Sequence, residues 1–176
     1  MSVREEPSDS QKVQNIIRDA GGKIMGRTRL QKIAFFLEIT GLGEGFTFSY
    51  RYYGPFSEEL ADGADLANSL GLIKEKFHKS SWGGIYSEYS SPKDSSSSIA
   101  PPRKMLLEIM TTADPIQLEL AATAALLANE GTQDPWEETE RRKPEKAEKG
   151  RLEKAKELYG KLLTVETPIP LPQIVN

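Results

Sequence analysis

The chain of 176 residues contains no cysteine, a single histidine and no long apolar run. Without cysteine, disulfides, thiolate catalysis and cysteine-ligated zinc are excluded. The single histidine, His78, excludes a multi-histidine metal site, and we interpret it as a surface residue. No apolar stretch approaches the ~20 residues of a membrane span. The first ten residues also lack the apolar centre of a signal peptide. We therefore expect a cytoplasmic protein with no membrane contact.

A strong excess of one charge is also missing. Lys and Arg number 23 against 26 Asp and Glu, a net charge of −3, so no global basic bias indicates nucleic-acid binding. Hydrophobic residues make up 38% and charged residues 28% of the chain, as in a globular domain that buries a core.

Signals of catalysis are scarce. No G-x-S-x-G nucleophile motif occurs, and the glycine-rich segment 41–45 follows a helix instead of a strand, which favours a turn over a nucleotide loop. Glu58, Asp62 and Asp65 lie on one face of a predicted helix and are of a type that binds Mg²⁺. A solvated acidic face is the interpretation we favour. We predict no enzymatic activity, no cofactor and no metal.

Helical periodicity dominates the first forty residues. Apolar side chains recur from Val13 to Ala20 at helical spacing, before a stop at Gly21-Gly22. A second helix is expected after Gly26, with Thr28 as N-cap and Gln31 completing a capping box. Its apolar face starts at Leu30, which places Arg29 and Lys32 on the outer side.

The next segment alternates like a strand. Residues 46–53 predict a half-buried strand that Gly54-Pro55 breaks, followed by a third helix capped by Ser57. That helix should bury Leu60, Ala61, Ala64, Ala67 and Leu70. Strands over 72–77 and 85–89 should form a hairpin with its tip at 82–84. Three helices followed by a hairpin predict a winged-helix-like unit with one extra strand.

The rest of the chain is predicted to be helical. Asp114-Pro115 and Asp134-Pro135 are N-terminal signals, and the almost wholly apolar stretch 118–128 indicates a buried helix. A last helix carries Leu152, Ala155, Tyr159 and Leu162 inward. We predict a mainly α (α+β) fold, organised as a winged-helix-like domain at 8–90, a serine-rich linker at 91–100, a helical subdomain at 101–163 and an extended, proline-spaced tail at 164–176.

A local basic cluster is the clearest candidate site. Lys23, Arg27, Arg29 and Lys32 surround the start of the second helix, and Arg51 lies beside Tyr52 and Tyr53 on the next strand. A helix N-terminus with arginines favours anions, and aromatic rings stack on bases. Simple solvation of an amphipathic helix is the competing interpretation. The third helix is acidic and has no Lys or Arg, which disfavours the usual major-groove docking.

Two motifs carry a family resemblance. Leu30-Gln31-Lys32 lies in the stretch G-R-T-R-L-Q-K-I-A-F, and Tyr53 to Ser57 reads Y-G-P-F-S. Together with L-E-L-A-A-T-A-A-L-L and L-E-K-A-K-E-L-Y downstream, they resemble the YwgA-like proteins of uncharacterised function over most of residues 10–163. More distantly, L-Q-K plus Y-G-P is similar to the Panacea antitoxin domain. The resemblance implies a non-enzymatic protein and supplies no catalytic residues.

We therefore expect a non-catalytic regulatory module that binds an unidentified protein partner, in an antitoxin-like or phage-defence setting. The binding face would be Arg27, Arg29, Lys32, Arg51 and Tyr53, facing an acidic partner. The alternative is a nucleic-acid-binding winged-helix regulator that uses the same face on phosphates. A metal-dependent nuclease built on Glu58, Asp62 and Asp65 is a distant third. Partner identity and oligomeric state do not follow from the sequence.

Overall fold

The computed structural model describes residues 4–92 and 98–175, which form eight helices and five strands. The helices are α1 (Asp9–Asp19), α2 (Arg27–Ile39), α3 (Glu58–Ser69), α4 (Pro101–Thr111), α5 (Pro115–Asn129), α6 (Pro135–Arg142), α7 (Pro144–Ala147) and α8 (Arg151–Leu163). The strands are β1 (Lys23–Met25), β2 (Ser49–Arg51), β3 (Gly54–Phe56), β4 (Lys74–Lys79) and β5 (Ile85–Ser90). The predicted α+β class is confirmed.

Side-chain caps explain where four of the eight helices described begin, among them α3, α5 and α6. The carboxylate of Asp114 accepts hydrogen bonds from the Ile116 and Gln117 amides of α5, and that of Asp134 accepts one from the Glu137 amide of α6. The Ser57 hydroxyl accepts from the Leu60 amide at the start of α3. These three predicted N-caps are confirmed, since each oxygen satisfies amides that have no partner within the helix.

The start of α2 differs from the prediction. Its N-cap is Gly26, with φ of 96° and no side-chain hydrogen bond, so Thr28 does not cap the helix. Gly26 also donates its amide to the Ser87 carbonyl of β5, which makes the chain turn directly from strand into helix. Gln31 does not complete a capping box. Its buried side-chain amide instead exchanges two hydrogen bonds with the backbone of Ser57, at 2.8 and 2.9 Å.

Two small antiparallel sheets occur among the described residues. The first has the order β1-β5-β4, in which Ile24 pairs with Tyr89 and Tyr89 with Glu75. Its hairpin tip is the one predicted, but β1 was not predicted, because three residues leave too short a pattern to detect.

The second sheet is the β2–β3 hairpin, which replaces the long strand predicted over 46–53. Gly54-Pro55 does not end the pairing. Gly54, with φ of 86°, turns the chain back, and Pro55 pairs with Tyr50. Proline is tolerated here because the hairpin has only two strands, so both are edges.

A single hydrophobic cluster joins the two halves of the chain. Helix α5 packs against α2, α6 and α8 and is buried from Leu118 to Leu127, as its apolar sequence predicts. The inward residues predicted for α8 are buried, as are Leu60, Ala64 and Ala67 of α3. Leu70 is exposed, contrary to prediction, because it is the C-cap of α3 and lies past the last turn that packs on α1.

The C-terminal segment 164–175 contains no helix or strand, as its prolines predict. It lies on the rest of the protein: Leu171 is buried, the Ile169 amide donates to the Thr40 carbonyl, and Tyr159 donates its hydroxyl proton to the Pro172 carbonyl. Residues 93–97 of the predicted linker lie outside the described residues. None of the helices described is both long enough and apolar enough to cross a membrane.

Candidate functional site

Lys32, predicted to be solvent-facing, is 1% exposed. Its ammonium donates a hydrogen bond of 2.7 Å to the Pro55 carbonyl of β3. The prediction of an outer face is wrong here because α2 is covered on several sides, by α4, α5 and the β2–β3 hairpin, so that every residue from Leu30 to Leu37 is buried.

The Arg29 side chain also forms hydrogen bonds within the protein. Its guanidinium donates to the Met25 carbonyl at 2.9 Å and to the Ala113 carbonyl at 2.7 Å, which ties the start of α2 to the α4–α5 turn. The Nε atom is buried and has no hydrogen-bond partner among the described residues. Burial lowers the pKa of Arg29, and the nearby charge of Asp114 partly opposes this.

Arg27 remains exposed at the same end of α2. Its Nε and a terminal nitrogen donate to Glu75 at 3.0 and 2.8 Å, and Ser87 donates its hydroxyl proton to the same carboxylate oxygen. The hydrogen bond to Glu75 raises the pKa of Arg27. Arg27 therefore stays positively charged while it anchors α2 to β4 and β5.

The other predicted site residues lie on the β2–β3 hairpin. Arg51 pairs with Glu58 in the first turn of α3, and the half-exposed Tyr53 packs edge-on against Tyr52. Arg27 and Arg29 share one cavity, whereas Arg27, Lys32 and Tyr53 contribute to the walls of a second. Arg51 lines neither cavity, although it belongs to the predicted face.

Behind the β2–β3 hairpin lies a cluster of charges that sequence reasoning missed. Glu119 of α5 accepts from Lys143 at 2.8 Å and from Lys146 at 2.7 and 2.9 Å. Lys143 also donates to the Tyr52 carbonyl, and the Lys146 ammonium lies 4.7 Å from the centre of the Tyr53 ring. Because a buried carboxylate requires partners, this cluster fixes the hairpin against α5 and α6. In the sequence, the one indication of this charge cluster was Glu119, an acidic residue within an otherwise mostly apolar helix.

One face of the β4–β5 hairpin carries apolar side chains that the core does not cover, alternating with Glu75, Lys79 and Ser87. Alternate residues of a strand point to one face, and the register places Phe77 opposite Ser87 and Ile85 opposite Lys79, on the face that carries buried Tyr89. Towards the hairpin tip, the apolar side chains on this face are exposed to solvent. Phe77 is 65% and Ile85 67% exposed, and Trp82 at the tip is 80% exposed.

These side chains bound a groove of about 660 Å³ between the hairpin and the start of α2, which we call the hairpin groove. Its apolar lining residues are Met25, Phe77, Trp82, Ile85, Tyr86 and Pro115. Among the residues that the structure describes, the charged ones lining it are Arg27 and Arg29. The sequence analysis identified the two arginines as site residues, but it assigned the hairpin residues only to strands. Apolar side chains on both sides of the predicted tip could have indicated the groove.

The end of α2 adds to the positive potential of the hairpin groove. No acidic residue lies in the first turn of α2, and no side chain caps its amides. A helix N-terminus carries a partial positive charge, so it reinforces the two guanidinium groups. The groove therefore combines an apolar surface with a positive end, which suits an apolar ligand that carries carboxylates.

Two carboxylates in the first turn of α3 are engaged by other residues of the protein. Within the described ranges, no group of three or more Asp, Glu or His side chains is placed to hold a metal ion. Glu58 is engaged by Arg51, and Glu59 accepts a hydrogen bond from the Thr47 hydroxyl at 3.0 Å.

Comparison with known proteins finds no family model, no curated protein and no solved structure that matches this chain.

Proposed function

We propose that the protein is a non-catalytic regulatory module that recognises a partner protein through the hairpin groove. The observation that carries this proposal is the exposure of apolar side chains on the β4–β5 hairpin, where Phe77, Ile85 and Trp82 lie beyond the core without cover. The partner presents apolar side chains flanked by carboxylates, because Arg27 and Arg29 are the charged residues that line the groove.

The energetics favour a protein ligand. Contiguous exposed apolar surface is typical of interaction sites, and aromatic side chains together with arginine dominate binding energy at such sites. Full burial of a side chain such as Phe77 or Ile85 contributes about 1.5–3 kcal/mol. A partner that covers both, together with Trp82, gains several kcal/mol towards the entropy lost on association, and its remaining contacts supply the rest.

The N-terminal half is, in our proposal, a winged-helix-like domain over residues 8–90, packed on a helical subdomain over 101–163. Its support is the element order α1-β1-α2-α3-β4-β5 with the sheet order β1-β5-β4, into which the β2–β3 hairpin is inserted before α3. The β4–β5 hairpin is then the wing, and an antitoxin-like or phage-defence role is the regulatory setting that the family resemblance implies.

Nucleic-acid binding is the alternative, and one observation favours it. Tyr52 is exposed and Tyr53 half-exposed, both beside the Lys146 ammonium, an arrangement that suits base stacking next to a phosphate. The acidic α3 disfavours the usual duplex contact, since its first turn carries Glu58 and Glu59.

A binding comparison tests the proposal. The probes are a short labelled peptide of leucine, phenylalanine, aspartate and glutamate, a matched peptide with lysine in place of the acids, and labelled duplex and single-stranded DNA. Fluorescence anisotropy is measured with each at low and near-physiological salt. We expect the acidic peptide to bind more tightly than the lysine peptide, with an affinity that the Phe77→Ser/Ile85→Ser variant lowers at least about tenfold, a loss of about 1.4 kcal/mol.

The control is Lys76→Ser on the opposite face of the same strand, which should leave the peptide affinity unchanged. Equal binding of the acidic and the lysine peptide, or an affinity that survives Phe77→Ser/Ile85→Ser, contradicts the proposal. Steeply salt-dependent DNA binding without peptide binding favours the alternative.

A further inference from the structure

Another pocket, of about 340 Å³, lies between the β2–β3 hairpin and the junction of α6 with α7. Two aromatic rings and three cationic side chains line it: Tyr50, Tyr52, Arg142, Lys143 and Lys146. We call it the tyrosine pocket. Its volume is near the lower end of the size range of small-molecule sites, so a ligand of modest size fits.

One wall of the tyrosine pocket is an aromatic ring that faces solvent. Tyr52 is 81% exposed and packs edge-on against Tyr53. Its backbone is anchored, because its carbonyl accepts a hydrogen bond of 2.8 Å from Lys143. The Lys146 ammonium lies 6.0 Å from the centre of the Tyr52 ring. An exposed ring beside a cation is the arrangement on which bases stack next to a phosphate.

Two of the cations keep donors that a ligand can use. Arg142 donates its Nε to Glu138 at 2.7 Å, and its guanidinium lies over the Tyr50 ring, 4.8 Å from the ring centre. Among the residues that the structure describes, no carboxylate accepts a hydrogen bond from its terminal nitrogens. Lys146 gives two of its three N–H groups to Glu119 and keeps the third. The Arg142 and Lys146 side chains are 33% and 29% exposed, so both are open to a ligand.

The charges around the tyrosine pocket leave a positive excess. Each of two carboxylates behind it is shared by two cations, and the groups are Glu119 with Lys143 and Lys146, and Glu138 with Arg141 and Arg142. Each group therefore keeps one positive charge. Glu145 also lines the pocket, but Arg151 brings a further cation to the same segment, since its guanidinium donates to the Glu145 carbonyl at 2.6 Å. These surroundings suit a phosphate monoester, which carries a charge of about −1.5 to −2 at neutral pH.

We propose that the tyrosine pocket binds a phosphate monoester attached to a planar base, the chemistry of a nucleoside monophosphate or of the phosphorylated end of a nucleic-acid strand. The base stacks on Tyr52, and the phosphate accepts hydrogen bonds from Arg142 and Lys146. One sugar separates the two groups, so a single small pocket accommodates both. No residue of the hairpin groove takes part, and the proposal does not depend on partner recognition there.

Three probes separate the base from the phosphate: adenosine monophosphate, adenosine and inorganic phosphate. Each is titrated into the protein by isothermal titration calorimetry at low ionic strength. We expect adenosine monophosphate to bind saturably and at least about tenfold more tightly than either of the other two, because only it engages both the ring and the cations. Absence of saturable binding, or an equal affinity for adenosine or for inorganic phosphate, overturns the proposal.

Variants locate the ligand. Tyr52→Ser removes the ring but keeps the carbonyl that binds Lys143, and Arg142→Met removes the phosphate donor. Each should lower the affinity for adenosine monophosphate at least about tenfold. The matched control is Arg141→Met, which removes the same charge from the same partner, Glu138, but does not line the pocket, and it should leave the affinity nearly unchanged. Equal losses in the two arginine variants, or an affinity that survives Tyr52→Ser, contradict the proposal.

Competition identifies the source of the ligand. An oligonucleotide with a terminal phosphate that displaces adenosine monophosphate at lower concentrations than the same strand with a terminal hydroxyl supports a strand end as the ligand. Displacement by neither strand supports a free nucleotide. A hydroxyl-ended strand that displaces adenosine monophosphate as well as the phosphorylated one contradicts the requirement for a phosphate monoester.

Discussion

Replacement of Lys32 by methionine should change how the stability of the protein depends on pH. Burial lowers the pKa of Lys32 from 10.5 to about 7 in the folded state. In the unfolded state the lysine keeps its ordinary pKa, so between these two values the unfolded chain binds more protons than the folded one. Stability contributed by this residue therefore rises as the pH increases from about 7 to 10.5, and below pH 7 the full cost of the buried charge remains.

The magnitude follows from the two pKa values. Between about pH 6 and about pH 9, linkage predicts that the free energy of unfolding of the wild type rises by roughly 2–3 kcal/mol relative to Lys32→Met. The variant also loses the hydrogen bond to Pro55, which lowers its stability at both pH values. Urea denaturation of both proteins at the two pH values gives the difference directly. A difference between the proteins that is the same at both pH values would refute the assignment of a depressed pKa to Lys32.

Two further substitutions test how α4 and α5 are held in the fold. Asp114→Ala removes the N-cap of α5 and should lower the free energy of unfolding by about 1 kcal/mol in urea titrations, and no loss would mean that the cap is dispensable. Arg103→Met breaks the pairs with Asp19 and Glu44 that join α4 to the N-terminal half, where all three side chains are at most 15% exposed. It should cost roughly 3 kcal/mol, because Glu44 loses its cationic partner and Asp19 keeps only Arg18. Arg141→Met, at a surface pair, should change the urea midpoint little, and an equal loss in both variants would contradict the role of burial.

Local signals in the sequence predicted the helices well. The N-caps Ser57, Asp114 and Asp134 each accept a hydrogen bond from an amide no more than three residues away. Such a cap can therefore be predicted without knowledge of the tertiary structure. The apolar run of α5 likewise indicated a helix buried on all sides, which the structure confirms.

Errors arose where tertiary contacts override local preference. The helical pattern places the polar side chains of Gln31 and Lys32 towards solvent. Both are buried, because Gln31 hydrogen-bonds to the backbone of Ser57, 26 residues away, and Lys32 to the carbonyl of Pro55. The prediction of the candidate site was incomplete for the same reason. Arg27 was recognised as a site residue, but the exposed face at Phe77 and Ile85 depends on the register of β4 and β5, which the sequence leaves open.

The fluorescence of Trp82 provides the most direct measurement of recognition through the hairpin groove. The chain has two tryptophans, and Trp136 is buried against Tyr159, so a Trp136→Phe variant leaves Trp82 as the sole reporter. Titration with the acidic leucine–phenylalanine peptide should shift the Trp82 emission to shorter wavelength and protect it from acrylamide quenching, in a saturable manner. Peptide binding detected by anisotropy with an unchanged Trp82 spectrum and unchanged quenching would contradict the account.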